Sequence, residues 1–294
     1  MHRSGTSATA EVLGELGLGL PPAEELIPAT RTNERGHFES KTLVRLNERL
    51  LASVGGTWSA PPCLEPGWEM AGSLDELRNE ASSTFAAAFP RRPAAWKDPR
   101  NCIVLPFWQT VLGSHSAAVF VYRDPLEVAR SLMSRDDIPI TQGLALWERY
   151  VRAACANLHG LPTLCTDFQR VLEDPAAWCR EAVDFLTHTG LAVDTGRSGP
   201  ARTFVDAGLR HQRDAVQNTS GLGDSQRAIL EKLHSVDGPH YPWRSPDLGT
   251  EPDWVGDVMA MSLEVDRLGQ AHRSLTRSRA YRLASAARLP GRKT

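Results

Sequence analysis

The chain has 294 residues, 41% of them hydrophobic and 23% charged, enough for one large domain with a sizeable buried core. Its 33 basic and 35 acidic side chains nearly cancel, leaving a net charge of −2, so no bulk basic field points to nucleic acid or an anionic membrane as partner. Five scattered cysteines, odd in number and without a CxxC pair, read as reduced thiols; with no signal-peptide core and no membrane-length apolar run, the expectation is a cytoplasmic protein.

Residues 1–7, MHRSGTS, form a small-residue loop that opens directly into a helix over 6–17, with Val12, Leu13 and Leu16 on one side and Gly17 and Gly19 as stops. A second helix is predicted over 39–54, where Leu43, Leu46, Leu50 and Val54 keep the helical period and Gly55-Gly56 ends it. A loop rich in Pro, Gly and Trp follows. Ser73 and Glu76 then make a capping box for a helix carrying Leu74, Leu77, Ala81 and Phe85. Ala94–Trp96 reads as a short strand and 101–112 as a helix. AAVFVY, at 117–122, reads as a buried strand, followed by helices over 125–135 and 141–158, a strand over 161–165 and a helix after Asp174-Pro175. Beyond residue 195 a polar loop leads to a helix over 224–235, a turn rich in Pro and Trp, and a helical, increasingly arginine-rich tail from 253. Strands alternating with helices predict an α/β fold, a parallel sheet with helices on both faces. The expected division is a main domain over 1–250 and a helical basic tail over 251–294.

Two segments carry candidate chemistry. A small-residue loop that opens a helix offers backbone N–H groups and the positive end of a dipole to an anion. Arg3, Ser4, Gly5, Thr6 and Ser7 are therefore candidate cofactor-binding residues, Arg3 supplying a forked cationic donor and the others hydroxyls and backbone. The spacing is not that of a Walker A loop, whose lysine is absent, and RSGTS on its own also fits an ordinary helix N-cap. Arg123 directly follows the AAVFVY strand, Ser131 lies eight residues beyond it, and Arg135 one turn further on. A strand-end Arg and a helix Ser can converge on a second phosphate at the carboxyl edge of a parallel sheet, where ligands of open α/β sheets sit. The alternative is a surface ion pair and a serine facing solvent.

Together these segments resemble the sulfotransferase superfamily. RSGTS is similar to its 5′-phosphosulfate loop, and VFVYRDPLEVARSLMSRDDIP to its 3′-phosphate motif, with Arg123 and Ser131 in the matching places. Asn33-Glu34-Arg35-Gly36-His37-Phe38-Glu39 with LVRLNERLL resembles the N-x-x-G-[YF]-[FW]-E segment of bacterial members. Trp96-Lys97-Asp98-Pro99-Arg100 resembles their KDPR step, and the lysine–aspartate–proline step of tyrosylprotein sulfotransferases. The resemblance runs from residue 1 to about 190. It implies a P-loop-like sulfotransferase fold, 3′-phosphoadenosine 5′-phosphosulfate (PAPS) as co-substrate without a metal, and transfer of the sulfuryl group to an acceptor hydroxyl.

On this resemblance Arg3 and the helix N-terminus hold the 5′-phosphate. Lys97 lies on the leaving or sulfuryl oxygens, an electrostatic contribution of the kind that is often the largest in catalysis. The acceptor hydroxyl also needs a base. Animal cytosolic sulfotransferases place a histidine two residues after such a lysine, but Pro99 stands there in this sequence. Glu39 is the base expected instead, in line with members that use Glu, and His37 is the runner-up. A carboxylate held by a helix dipole is the other reading of Glu39.

In the family a buried strand feeds the chain into the phosphosulfate loop. Here the sequence begins inside that loop, and the expectation is a true start further upstream. A missing central strand would leave neighbouring ladder groups unpaired, at ~1–3 kcal/mol each if buried. Within the basic segment 273–292, SRAYRLASAARL is similar to the S-x-[WY]-R-L-x-x-x-x-R-x-L tails of some bacterial glycan-processing proteins. It points to a carbohydrate or glycoconjugate acceptor, or to peripheral docking at the inner membrane surface; a solvated terminal helix is the plain alternative. Two other functions stay open: a P-loop kinase-like phosphotransferase, disfavoured by the absent Walker lysine, and a non-catalytic nucleotide-binding scaffold in a glycan-assembly pathway.

Overall fold

The computed structural model describes residues 1–30, 36–113, 116–193 and 221–277. Helix α1 spans Thr6–Glu15, and its apolar side buries Val12 and Leu13. Helix α2, Lys41–Ser53, starts where Ser40 Oγ accepts from Leu43 N at 3.2 Å, a side-chain cap that satisfies one orphan donor of the first turn. Helix α3 covers Asp75–Ala88 and α4 Asn101–Leu112. Strand β1, Ala118–Tyr122, runs into α5, Pro125–Asp136. Asp124 Oδ1 caps α5 through Leu126 N and Glu127 N, at 2.8 and 3.1 Å, and Pro125 supplies a preset φ at the first helical position. Helix α6 is Ile140–Asn157, β2 Thr163–Asp167, α7 Phe168–Glu173 and α8 Pro175–His188. Helix α9 spans Asp224–Ser235, β3 Gly238–His240 and α10 Asp253–Arg277.

The protein is α/β and, among the described residues, mostly helical around a three-stranded sheet in the order β1-β2-β3. β1 and β2 are parallel, with Ala118 opposite Thr163 and Tyr122 opposite Asp167. Alternate residues of β1 face two separate cores, as the period of a strand requires. Phe120 and Tyr122 join the main core with α2, α3, α4, α6, α9 and the start of α10, while Val121 joins Leu164, Phe168 and residues of α1 and α8. The central helix α6 has buried residues around most of its circumference, among them Leu144, Leu146, Trp147 and Tyr150. It lies close to α5: a Cβ on Gly143 would meet Ala129 Cα at 2.8 Å, so only glycine allows this approach. Val255 and Met259 of α10 enter the main core.

Three expectations need correction. The sheet is mixed where a parallel one was expected: β3, in the Pro/Trp-rich turn, pairs antiparallel with β2, with Leu164 opposite Pro239. Pro239 carries no N–H, and β3 forms the sheet edge, where that loss is tolerated. Ala94–Trp96 is not a strand but a single parallel bridge, Gly19 with Ala94, held by Gly19 N to Pro93 O and Ala95 N to Gly19 O. Ser73 and Glu76 form no capping box, because Ser73 lies inside a 3-10 turn over Gly72–Leu74 and Leu74 takes the N-cap position. The polar loop around 195–220 and the tail beyond Arg277 lie outside the described residues. Among those described, no helix is long and apolar enough to cross a membrane.

Candidate functional site

The loop His2–Gly5 enters α1 through two left-handed backbone positions, Arg3 at φ 63° and Gly5 at φ 83°. Gly5 is the N-cap and brings no capping side chain, so no side chain satisfies the N–H groups of the first turn. A Cβ there would fall 2.0 Å from the Phe168 ring, so position 5 admits glycine alone. Ser4 is completely buried, and its hydroxyl has no hydrogen-bond partner among the described residues.

This loop is tied to the end of β1 and to α5. Arg3 Nε donates to Ser131 Oγ at 2.7 Å, and Arg123 Nη1 approaches the Arg3 carbonyl at 3.5 Å. Arg123 Nε is held by Glu127 Oε2 at 2.5 Å, and its guanidinium lies 5.7 Å from the centre of the Phe168 ring. The indole N–H of Trp147, on α6, donates to the Arg123 carbonyl at 2.9 Å and pins the strand end. Arg135 pairs with Asp136 at 2.6 Å. Burial, followed by the charges of Arg135 and Arg123, depresses the proton affinity of Arg3. Three guanidinium groups thus share one neighbourhood beside an uncapped helix end, which favours a polyanion there.

A second cluster meets the start of the same helix at Ser7. Lys97 Nζ donates to Ser7 Oγ at 3.2 Å and to the His37 carbonyl at 3.1 Å, and it makes an ion pair with Glu39 Oε1. Both side chains of the pair are nearly buried, Lys97 at 11% and Glu39 at 9% exposure. Burial raises the pKa of Glu39 above the ordinary carboxylate value, although Lys97 opposes the shift. Glu39 is set by its backbone, which accepts from Ile27 N at 2.9 Å just before α2 begins. His37 turns its ring to Thr30 Oγ1 at 3.3 Å, and burial, then the charges of Lys97, Arg135 and Arg3, lowers its pKa.

Behind Lys97 and Glu39, Asp98 and Arg100 of the KDPR step join a polar network with Asn47 and Trp108, two residues that no motif reading assigned. Asp98 Oδ1 accepts from Arg100 N and Nη1 at 2.9 and 3.0 Å, while its Oδ2 accepts from Asn47 Nδ2 at 2.9 Å. Asn47 Oδ1 in turn accepts from Trp108 Nε1 at 2.8 Å. Arg100 Nη1 stands 3.9 Å from the second oxygen of Glu39, so Glu39 lies between two cations. Asn47 had a visible signal: a polar residue on the Leu43–Leu50 face of an otherwise apolar helix stripe. His2 was missed as well. Its ring packs 4.7 Å from Trp58 and 5.9 Å from Tyr150, its Nε2 has no partner among the described residues, and burial, then Arg100, holds its pKa well below 6.5.

The structure therefore brings Arg3, Arg123 and Ser131 together, and separately Ser7, His37, Lys97 and Glu39, around the start of α1. Thr6 opens that helix, and Arg135 contributes charge without a direct bond to either cluster in the contacts above. Asn33, Glu34 and Arg35 of the NERGHFE segment lie outside the described residues. Among the described residues, no group of three or more His, Cys, Asp or Glu could hold a metal ion. Family models, curated proteins and solved structures offer no match to this chain.

Proposed function

We propose that the chain is a PAPS-dependent sulfotransferase with a P-loop-like fold, acting on a hydroxyl of a carbohydrate or glycoconjugate. The observation that carries this reading is the placement of two clusters at one uncapped helix end: the Arg3–Ser131–Arg123 group and the Ser7–Lys97–Glu39 group. The first suits a nucleotide with two phosphates. The second suits a reaction in which a proton is taken up and negative charge grows on a leaving oxygen.

In the transfer, the acceptor oxygen bonds to sulfur as the bond from sulfur to the bridging phosphate oxygen breaks. The acceptor proton passes to Glu39, and the leaving oxygen keeps the electron pair, as 3′-phosphoadenosine 5′-phosphate. Lys97 neutralises that oxygen. Lys97 already has three acceptors in this structure, so it can exchange Glu39 for a phosphosulfate oxygen with little movement. That exchange frees the carboxylate to act as a base when the donor is bound. The carbohydrate acceptor rests on the tail resemblance, which lies beyond Arg277 and outside the described residues.

The scaffold reading has one observation in its favour: in the structure the base candidate is neutralised by its own lysine. Mass spectrometry of candidate glycans, lipids and tyrosine peptides incubated with PAPS separates the two. Addition of a sulfate to one acceptor class supports catalysis. Tight binding of 3′-phosphoadenosine 5′-phosphate with no transfer to any class supports the scaffold.

A further inference from the structure

When Lys97 turns to the donor, Glu39 loses its ion-pair partner while its side chain stays 9% exposed. Burial raises its pKa and Asp98 adds to the rise, whereas Lys97 and Arg100 oppose it. A buried carboxylate without a counter-charge takes up a proton, and a carboxylic acid is no base. A second cation is therefore needed for Glu39 to work once Lys97 is engaged.

Arg100 stands in that place. Its Nη1 lies 3.9 Å from Glu39 Oε2, the oxygen that Lys97 does not hold. That is too long for a direct hydrogen bond, so the interaction is one of charge. The guanidinium is fixed from behind. Nη1 donates to Asp98 Oδ1 at 3.0 Å, and Nη2 donates to the half-exposed Glu48 at 3.0 Å. Asp98 is fully buried in its turn and accepts from Arg100 N and from Asn47 Nδ2, each at 2.9 Å. Asn47 of α2 also donates to Asn101 Oδ1 at 3.1 Å and accepts from Trp108 Nε1 of α4 at 2.8 Å. The cradle is thus tied to two helices, and Arg100 Nε, buried and without a partner among the described residues, leaves it one uncommitted donor.

The charges divide unevenly. Lys97 and Arg100 face Glu39 and Asp98, so removing Lys97 leaves one cation for two buried carboxylates. Asp98 keeps its hydrogen bonds, while Glu39 has only the charge of Arg100 at a distance. Glu39 is consequently the carboxylate that takes up a proton. The nearby histidines supply no counter-charge: burial first, then neighbouring cations, pushes both His2 and His37 toward the neutral form.

We propose that Arg100 is a positioning residue for the base. Locked by Asp98, Asn47 and Trp108, it stays beside Glu39 when Lys97 leaves and keeps that carboxylate ionised until the acceptor proton arrives. The timing rests on the sulfotransferase reading above; the hold on Glu39 is a property of the free chain.

The test follows the side-chain carboxyl signals of the full chain, labelled at glutamate, by carbon NMR across pH, with Glu39→Gln identifying the signal. Lys97→Met stands in for the departed lysine, so no nucleotide is needed. In that background Arg100→Gln should raise the Glu39 midpoint by about 1–3 pH units, the usual effect of an opposite charge at this range. Arg100→Lys should recover most of that shift. Asp98→Asn removes a like charge at constant shape and should lower the midpoint. A merely structural role moves the melting temperature without shifting the midpoint in opposite directions. An unmoved midpoint in Arg100→Gln overturns the proposal, as does a midpoint that rises in Asp98→Asn. Where Arg100→Gln does not fold, the sign of the shift in Asp98→Asn decides. In transfer from PAPS, the acid limb of kcat/KM should follow the same order among the Arg100 and Asp98 variants with Lys97 restored. A wild type that transfers nothing would sink the enzymatic reading, and the carboxyl titration would still decide the role of Arg100.

Discussion

Arg3 and Ser131 stand 128 positions apart in the chain and are joined by a 2.7 Å hydrogen bond from Nε to Oγ. That bond fastens the loop before α1 to the middle of α5, so a ligand held by one is presented to the other.

The protein should bind 3′-phosphoadenosine 5′-phosphate more tightly than AMP. A hydrogen bond to a charged group contributes about 1.5–3 kcal/mol, so Arg123→Ala should lower the affinity for the bisphosphate roughly 10–100-fold while changing AMP binding little. Ser131→Ala should act in the same direction more weakly, and should also release Arg3. Isothermal titration with both nucleotides checks this, and equal affinities in the wild type would sink the assignment of the 3′-phosphate site.

Glu39→Gln should lower turnover ~10²–10⁴-fold, the usual loss for a missing base, with nucleotide affinity near wild type. His37→Gln should cost little. Since a base works deprotonated and burial raises the pKa of Glu39, kcat/KM should fall with decreasing pH along a limb above the ordinary glutamate range. Lys97→Ala should slow transfer too, with a milder loss for donors bearing a better leaving group. An active Glu39→Gln beside an inactive His37→Gln would move the base to His37.

Gly5→Ala forces a Cβ to within 2.0 Å of the Phe168 ring and strains a backbone at φ 83°. Overpacking of this kind typically costs about 1–3 kcal/mol, and the positive φ adds to it. The expected result is a lower melting temperature and weaker nucleotide binding. Adding Phe168→Leu should restore part of the stability and little of the binding, since the strained loop remains.

His2 titrates below its unfolded value of 6.5. As pH falls through 6.5 the unfolded chain takes up a proton that the folded chain refuses, so stability is present above that pH and lost below it. The slope reaches at most about 1.4 kcal/mol per pH unit for one group. His2→Phe keeps a ring between Trp58 and Tyr150 but should flatten this part of the stability profile. Urea melts of both proteins between pH 5 and 8 measure the difference, and His37, which also titrates low, is common to both. Parallel profiles would refute the claim.

Much of the architecture could be read in advance where local physics decides it. The helices now seen over 6–15, 41–53, 125–136, 140–157 and 175–188 were each expected within a few residues of these bounds, the last from Asp174-Pro175 at its start. Two readings failed because a neighbour overrode the local pattern. Ser73 was drawn into a 3-10 turn, and Ala94–Trp96 found only Gly19 to pair with.

The site divides in the same way. Residue types at fixed spacing along one segment singled out Arg3 to Ser7 and Arg123 with Ser131, because a loop, a strand end and a helix face are each local. Sequence alone could not show that Lys97 bridges Ser7, the His37 carbonyl and Glu39, or that Asn47 links Asp98 to Trp108. Those bonds join residues 51 to 90 positions apart, and only packing of α1, α2 and α4 around the sheet brings them within reach. Tertiary structure also buried Glu39 and His2. Burial sets the direction of both pKa shifts, and a property that arises from excluded water is not written in any single stretch of chain.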